Sequence, residues 1–339
     1  MPVRLVVLLA LLGAALAACG PQTAPEVARA TSTPTAAATA TPSPESTSTA
    51  TPTPTATPVS TPAAGAGALG QVGVAPRDVL RIQALPRAVA DRTRLVVIDP
   101  GHAEDEVGAA ANGVVEKHSN LDMALRVEAL LQQQGVRAVL TRRADERAYA
   151  PGTVITGNSA TRRDLQARID LANDLNADFF VSLHSNGAAS TAERGVEVYW
   201  DSGRPFAALN QQLATSIQAA VIGDMAGAGM PVYDRGAKDD ACLRFFRGRC
   251  FPLFVLGPGR STTGEEIIQR GGTPAELGLA PGQSSVTSRA TQMPGALVEL
   301  LFISSPEDAA LLRSEDARNA MARGVVRGII EQLNRTPPR

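Results

Sequence analysis

The chain has 339 residues, room for one large domain or two small ones, with 44% hydrophobic and 19% charged residues. Its net charge of −1 gives no electrostatic footprint for nucleic acid, and 4% aromatic content offers no obvious stacking platform for bases or sugars. The short arginine pairs Arg142-Arg143 and Arg162-Arg163 are read as solvated faces or ion pairs.

Residues 1–18 carry one basic residue, Arg4, and then an uncharged run from Leu5 to Ala18. That run is short for a membrane span and has the shape of a secretory signal. It ends in Leu16-Ala17-Ala18-Cys19-Gly20, which resembles a bacterial lipobox, so Cys19 would be lipidated and become the mature N-terminus. Ordinary signal cleavage near Ala15-Leu16-Ala17 is the alternative. Several acyl chains on one site would anchor stably, since each buried CH₂ contributes about 0.8 kcal/mol. From 19 to 70 the chain is rich in Thr, Pro, Ala and Ser, with Glu26, Arg29 and Glu45 as isolated charges. Such a segment has too few large apolar groups to offset its ordering entropy, which predicts a disordered linker. Its prolines favour extended conformations, with a reach on the order of 150 Å at roughly 3.1 Å per residue. Residues 71–93 form a lead-in with one amphipathic stretch, and 94–335 read as the folded domain.

The folded part opens on Leu95-Val96-Val97-Ile98-Asp99-Pro100-Gly101-His102, a buried strand stopped by Pro and Gly with a histidine just past its carboxyl end. After a polar loop to Val115, Ser119 reads as an N-cap with Asp122 three residues on. Met123, Val127, Leu130 and Leu131 then mark an amphipathic helix that Gly135 ends. Glu116 falls just before that helix, where dipole stabilisation is the plain alternative to a chemical role. Val136 to Thr141 reads as a second strand, Arg143 to Thr161 as a polar insertion and Asp164 to Asn176 as a helix. Asp178 to Gly187 repeats the opening pattern of strand, histidine and glycine turn, with His184 in the place of His102. Two histidines at the carboxyl ends of two parallel strands would face one crevice.

Gly195 to Trp200 alternates as a strand, and Phe206, Leu209, Leu213, Ile217 and Val221 mark a helix. Gly223 to Gln292 reads as irregular, with a strand candidate at Pro252 to Leu256. Within it Cys242 and Cys250, eight positions apart in an exported chain, point to a disulfide, with two unpaired thiols as the alternative. Gly295 to Phe302 is a nearly continuous apolar strand interrupted by Glu299, a carboxylate that needs a partner or a task there. Ser305 and Ser314 start two final helices.

His102, Glu116 and His184 make a two-histidine, one-carboxylate set that suits a catalytic zinc with an open fourth position. Glu299 is the candidate general base and acid, since a partly desolvated glutamate has a raised pKa suited to moving a proton between water and a leaving nitrogen. His118 reads as a surface residue, and Asn186, two positions past His184, as a candidate substrate contact.

Taken in order, Ile98-Asp99-Pro100-Gly101-His102, Glu116-Lys117, Asn120-Leu121, Leu140-Thr141-Arg142, Arg168, Ser182-Leu183-His184-Ser185-Asn186, Gly195-Val196-Glu197-Val198-Tyr199, Arg235-Gly236 and Leu297-Val298-Glu299-Leu300 resemble the zinc-dependent N-acetylmuramoyl-L-alanine amidases of bacterial cell-wall hydrolysis. The resemblance spans about 94–333. It implies an α/β, phosphorylase/hydrolase-like zinc amidase fold, a mostly parallel sheet with helices on both faces. It also implies His102, Glu116 and His184 as Zn²⁺ ligands and Glu299 as the catalytic glutamate. The implied reaction cleaves the amide between N-acetylmuramic acid and the L-alanine of the stem peptide. The chain departs from the family in having Ala103-Glu104 where two glycines are usual, and in a longer segment before Glu299. Within that segment Gly257 to Gln292 is expected to form a flap over the cleft. The expected partners are peptidoglycan, the membrane through the lipid anchor and an unidentified protein activator, with no nucleic acid. The rival readings are a non-catalytic wall-binding or regulatory protein on the same fold and a zinc peptidase acting on stem peptides.

Overall fold

The structure, a computed structural model, describes residues 94–149, 158–246, 249–269, 273, 279 and 284–337. The signal segment, Cys19, the linker and the lead-in lie outside them, as does part of the polar insertion.

In chain order the elements are β1 (Leu95–Pro100), β2 (Ala110–Ala111), β3 (Val114–Val115), α1 (Glu116–Gln133), β4 (Arg137–Leu140), α2 (Asn158–Asp174), β5 (Phe179–Asn186), β6 (Val196–Trp200) and α3 (Ala207–Gly227). There follow β7 (Asp234–Asp239), β8 (Arg244–Phe246), β9 (Arg249–Phe251), β10 (Ser261–Thr263), α4 (Gly264–Gln269), β11 (Ser285–Thr287), β12 (Gly295–Phe302), α5 (Pro306–Arg313) and α6 (Glu315–Arg335). The main sheet runs β4-β1-β5-β12-β6-β7. Its pairs are parallel except β12 with β6, so the mostly parallel α/β sheet expected from the sequence is present.

Successive strand residues point to opposite faces. Val96, Ile98, Phe179, Val181, Val198 and Val298 share a core with α1, α3 and α6. Leu95, Val97, Phe180, Tyr199 and Leu297 share the other with Ile169 and Ala172 of α2 and with Val255, Leu256 and Met293. The strands β1, β5 and β12 run in one direction, so their carboxyl ends meet at one edge of the sheet. The antiparallel β6 brings its beginning, and with it Glu197, to the same edge.

Four local expectations change. The first helix begins at Glu116, not after Ser119, because loop carbonyls cap it: Glu116 N donates to Ala109 O at 2.9 Å and Lys117 N to Val107 O at 3.3 Å. Glu116 is therefore the first helical residue. The second helix begins at Asn158, six residues before Asp164, because its first turn already buries Ala160 and Thr161. Pro252 to Leu256 is a turn closed by Leu256 N and Gly257 N on Leu253 O, and its apolar side chains pack on the α2-side core without a strand. Arg142 is buried, while Arg143 is an ion pair with Glu128, so the first arginine pair divides between core and surface. Ser305 and Ser314 cap α5 and α6 through their side chains, as their positions predict.

Candidate active site

The strand β1 ends at Pro100, and Gly101 N donates to Leu183 O at 2.9 Å, tying the turn to β5. His102 then takes a left-handed backbone, φ 62°, which a residue with a Cβ adopts only when its surroundings hold it there. Two buried guanidiniums supply the hold. Arg142 donates to Pro100 O (2.9 Å), Gly101 O (2.9 Å) and Lys117 O (2.7 Å). Arg168 donates to Pro100 O (2.6 Å) and His102 O (3.2 Å), and its charge is balanced by Asp99 and Asp164 at 2.9 and 2.7 Å. Burial alone would raise the Asp99 carboxyl, but Arg168, Thr141 and Ser182 hold it below the usual range.

The turn delivers His102 Nε2 to within 3.0 Å of Glu116 Oε1, and β5 delivers His184 Nδ1 to within 2.9 Å of the same oxygen. The two imidazole rings stand edge to face, 4.9 Å between centroids. One candidate ligand atom from each of the three residues lies within 4.8 Å of the others, and all three residues are buried. Glu116 Oε2 accepts from Ala109 N at 2.7 Å, and Asn120 Nδ2 reaches Oε1 at 3.4 Å, which fixes the carboxylate. The glycines here are required by space. A Cβ on Gly101 would lie 2.1 Å from His184 Cε1, and one on Gly108 (φ 69°) 2.3 Å from Glu116 Oε2.

These residues fit a metal ion. The donor set suits zinc, and both ring nitrogens of His102 are buried without an aligned hydrogen bond. His102 Nε2 and Glu116 Oε1 approach without hydrogen-bond alignment, as two atoms converging on a third would. Burial disfavours the imidazolium, yet the Glu116 carboxylate pushes His102 up to about 10. Burial likewise raises Glu116, but His102 and His184 together bring it well below the carboxylate range. Glu106, which the sequence reading did not single out, sits 3.3 Å from His102 Nδ1 on the ring edge away from Glu116. A carboxylate there orients a ligating imidazole. His118 is 61% exposed at its side chain, as the surface reading expects.

Glu299 and His184 are register partners in the β5–β12 pair. On the other side Glu299 is opposite Glu197 of β6. The ladder shifts between Glu299 and Phe302, where Leu301 has φ 69°, a bulge of the kind that re-aims side chains beside active sites. Glu299 is buried, and its Oε2 has no hydrogen-bond partner among the described residues. Burial, then Glu116 and Glu197, push its carboxyl well above the ordinary value.

Glu197 is the opposite case. Its Oε1 accepts from Asn186 Nδ2 and Tyr199 OH, both at 2.8 Å, and its Oε2 accepts from Arg235 Nε at 2.6 Å and from Lys238 Nζ. The Asn186 amide is thus engaged with Glu197, and its Oδ1 accepts from Gly187 N at 2.9 Å.

A cavity of about 330 Å³ opens beside His102 and His184, walled by Leu165, Phe251, Leu253, Phe254 and Leu297. Cys242 and Cys250 are joined in a disulfide beside this wall, with Cα atoms 4.5 Å apart. Of the segment expected to form a flap, Arg260 and Thr262 line the cavity.

A profile of the N-acetylmuramoyl-L-alanine amidase family matches residues 96–331. The chain belongs to this family. It is 35% identical to the N-acetylmuramoyl-L-alanine amidase LytC of Bacillus subtilis over 146 residues, 43% of this chain and 25% of LytC. It therefore spans only a quarter of that relative's length. It is 28% identical to AmiA of Salmonella typhimurium over 246 residues, 71% of this chain and 76% of AmiA. Among solved structures, the CwlD amidase of Clostridioides difficile in complex with the GerS lipoprotein matches with a TM-score of 0.54 and 19% identity. That match covers 72% of this chain and 100% of the other chain, and it supports the fold.

Proposed function

We propose that this enzyme hydrolyses the amide between N-acetylmuramic acid and the L-alanine of the peptidoglycan stem, with Glu299 as general base and acid beside a zinc held by His102, Glu116 and His184. The observation that carries the reading is the convergence of the three candidate ligands next to a buried carboxylate with one oxygen left without a hydrogen bond among the described residues, in a chain of the amidase family. A zinc ion bound there would polarise the scissile carbonyl and lower the pKa of water towards about 7. Glu299 takes the proton of the attacking water and passes it to the departing L-alanine nitrogen. Its burial, and the neighbouring Glu116 and Glu197, raise its proton affinity, which favours taking the water proton. Glu106 steadies the His102 ring, and Arg142 and Arg168 hold the turn that carries it.

Digestion of purified peptidoglycan tests this. Wild-type protein with zinc should release stem peptides bearing a free L-alanine amino group, and a chelator or Glu299→Ala should stop the release. Cleavage between stem residues would indicate a peptidase, and no cleavage a wall-binding protein. The buried Glu299, whose Oε2 has no hydrogen-bond partner among the described residues, argues against the non-catalytic reading, since a buried carboxylate oxygen without a partner costs stability.

We place the enzyme outside the cytoplasm, tethered through a lipid on Cys19, with 19–70 as the spacer. The Cys242–Cys250 disulfide fits an oxidising compartment, and no described helix is long and apolar enough to cross a membrane. Cys19→Ser should release the protein from the membrane fraction, and an unchanged distribution would remove the anchor.

A further inference from the structure

Cys242 and Cys250 stand at the two points where the β8–β9 hairpin meets the cavity. Leu243, one residue after Cys242, and Phe251, one residue after Cys250, line the space that His102 and His184 also line. The disulfide therefore ties two lining residues together. Backbone pairing alone would hold them weakly. The strands β8 and β9 have three residues each and form a two-stranded sheet of their own, and an isolated hairpin is marginal in water.

The flanks of the hairpin are fixed by other means. Leu243 N donates to Asp240 O at 2.9 Å, and Leu253 N donates to the buried Asp240 Oδ2 at 2.9 Å. The buried Arg204 guanidinium donates to Leu256 O and Gly257 O at 3.0 and 2.9 Å. Opening the bridge would thus free the hairpin and Phe251 while Leu253 to Gly257 stay in place. Neither cysteine belongs to the main sheet, and the three candidate metal ligands lie elsewhere in the chain.

The bridge is also within reach of solvent. Both cysteines are exposed, and exposed disulfides are the ones that exchange with thiols. A bridge spanning eight positions restrains the unfolded chain less than a long-range one, so the fold leans on it little. Exposure, a small share in the fold and a place at the cavity wall are what a reversible clasp requires.

We propose that Cys242–Cys250 is a redox site: a dithiol reduces it, and the opened hairpin withdraws part of the wall from the cavity and weakens substrate binding. One thiolate of the dithiol attacks a cysteine sulfur, which forms a mixed disulfide and expels the other cysteine as a thiolate that takes up a proton. The second thiol of the reductant, losing its proton, attacks the reductant's own sulfur in that mixed disulfide and expels the remaining cysteine, which is protonated in turn. The bridge gains two electrons and two protons, and the dithiol becomes a disulfide. The kinetic consequence rests on the amidase reading; the reduction and the loosening of the hairpin do not.

The test uses the full-length chain carrying Cys19→Ser, which leaves Cys242 and Cys250 as its two cysteines. Dithiothreitol is applied without denaturant, the thiols are capped with iodoacetamide, and the reagents are removed before zinc is added. The mass should show two caps per chain. Amide hydrogens of β8 and β9 should exchange faster than in the oxidised protein, while those of β5 and β12 stay unchanged. Zinc content should be unchanged. KM for a soluble muropeptide should rise about tenfold with kcat largely kept, the scale of two apolar side chains leaving contact. The double variant Cys242→Ser, Cys250→Ser should behave like the capped protein and ignore the reductant; should it fail to fold, the capped protein decides. A bridge that opens only in denaturant overturns the proposal, as does a capped protein that keeps the exchange or the KM of the oxidised one. Faster exchange in β8 and β9 with no cleavage of peptidoglycan in either state supports the opening of the hairpin and removes the amidase reading.

Discussion

Glu299 and His184 face each other as register partners across the parallel β5–β12 pair. Partners in a ladder point to the same face and lie one strand spacing apart, about 4.8 Å. The candidate base is thus set beside a candidate ligand by backbone hydrogen bonds rather than by a mobile loop. The bulge after Glu299 shifts that pairing where the site begins, and the ladder resumes with Phe302 opposite Asn186.

Glu299→Gln keeps the shape and removes the base. Turnover should fall by about 10²–10⁴-fold, the usual contribution of a positioned acid–base group. Zinc content should be unchanged. Stability should hold or rise, because a buried carboxylate with an unpartnered oxygen is replaced by a neutral group. Turnover and thermal midpoint measured on one preparation check this. A variant that keeps wild-type turnover would remove Glu299 from the mechanism.

Gly101→Ala tests the space that the His184 ring occupies. The added Cβ would lie 2.1 Å from Cε1 of that ring, so the imidazole must leave its place. Bound zinc should drop to well below one per chain while the far-ultraviolet circular dichroism stays that of the wild type. Full zinc occupancy in this variant would mean that His184 is dispensable as a ligand.

The sheet and the site differed in how openly the sequence displayed them. The apolar runs ending in Gly101-His102 and in His184 show two strands and their edge directly, because burial on both faces of a parallel sheet leaves little polar alternation to confuse. Glu299 stands out for the opposite reason, as a charge where none is expected. Arg142, Arg168 and Glu197 entered only as pieces of the family resemblance, with no role in the site, and Glu106 not at all. Their partners are backbone carbonyls or residues distant in sequence, and a charged side chain reads as surface until the fold supplies its partner. The start of α1 was misplaced because carbonyls of the 107–109 loop, not a side chain, cap it.

Metal binding should release a proton. Without metal, burial disfavours the His102 imidazolium but Glu116 holds its pKa at about 10, so at neutral pH the ring carries a proton that a zinc ligand cannot keep. Apparent zinc affinity should therefore rise about tenfold per pH unit between about 7 and 9, and level off near 10. Calorimetry at pH near 8 in buffers of differing ionisation enthalpy should count close to one proton released. A count of zero would show that His102 is already neutral in the metal-free protein.

Asp201 and Asp240 should make stability depend on pH from a place away from the metal ligands. Both are buried at the ends of β6 and β7, and Asp201 Oδ2 and Asp240 Oδ1 have no hydrogen-bond partner among the described residues unless a proton is shared between the two carboxyls. Burial, with Asp201 beside it, pushes Asp240 up to about 8, whereas in the unfolded chain it titrates near about 3.9. Between those values the folded protein holds a proton that the unfolded chain has lost, so stability falls as pH rises through the window. Below it both states are protonated and the pair contributes no slope; above it the cost of two buried charges is complete. Asp240→Asn supplies an N–H to Asp201 at every pH. Its thermal midpoint should match the wild type near pH 4, exceed it increasingly towards pH 8, and keep a constant margin beyond. The carboxyl of Asp240 also accepts from Leu253 N in the cavity wall, so the wall should exchange its amide hydrogens faster in the wild type above pH 8 than in the variant, after correction for intrinsic rates. A margin between variant and wild type that does not change with pH would mean the two carboxyls do not share a proton.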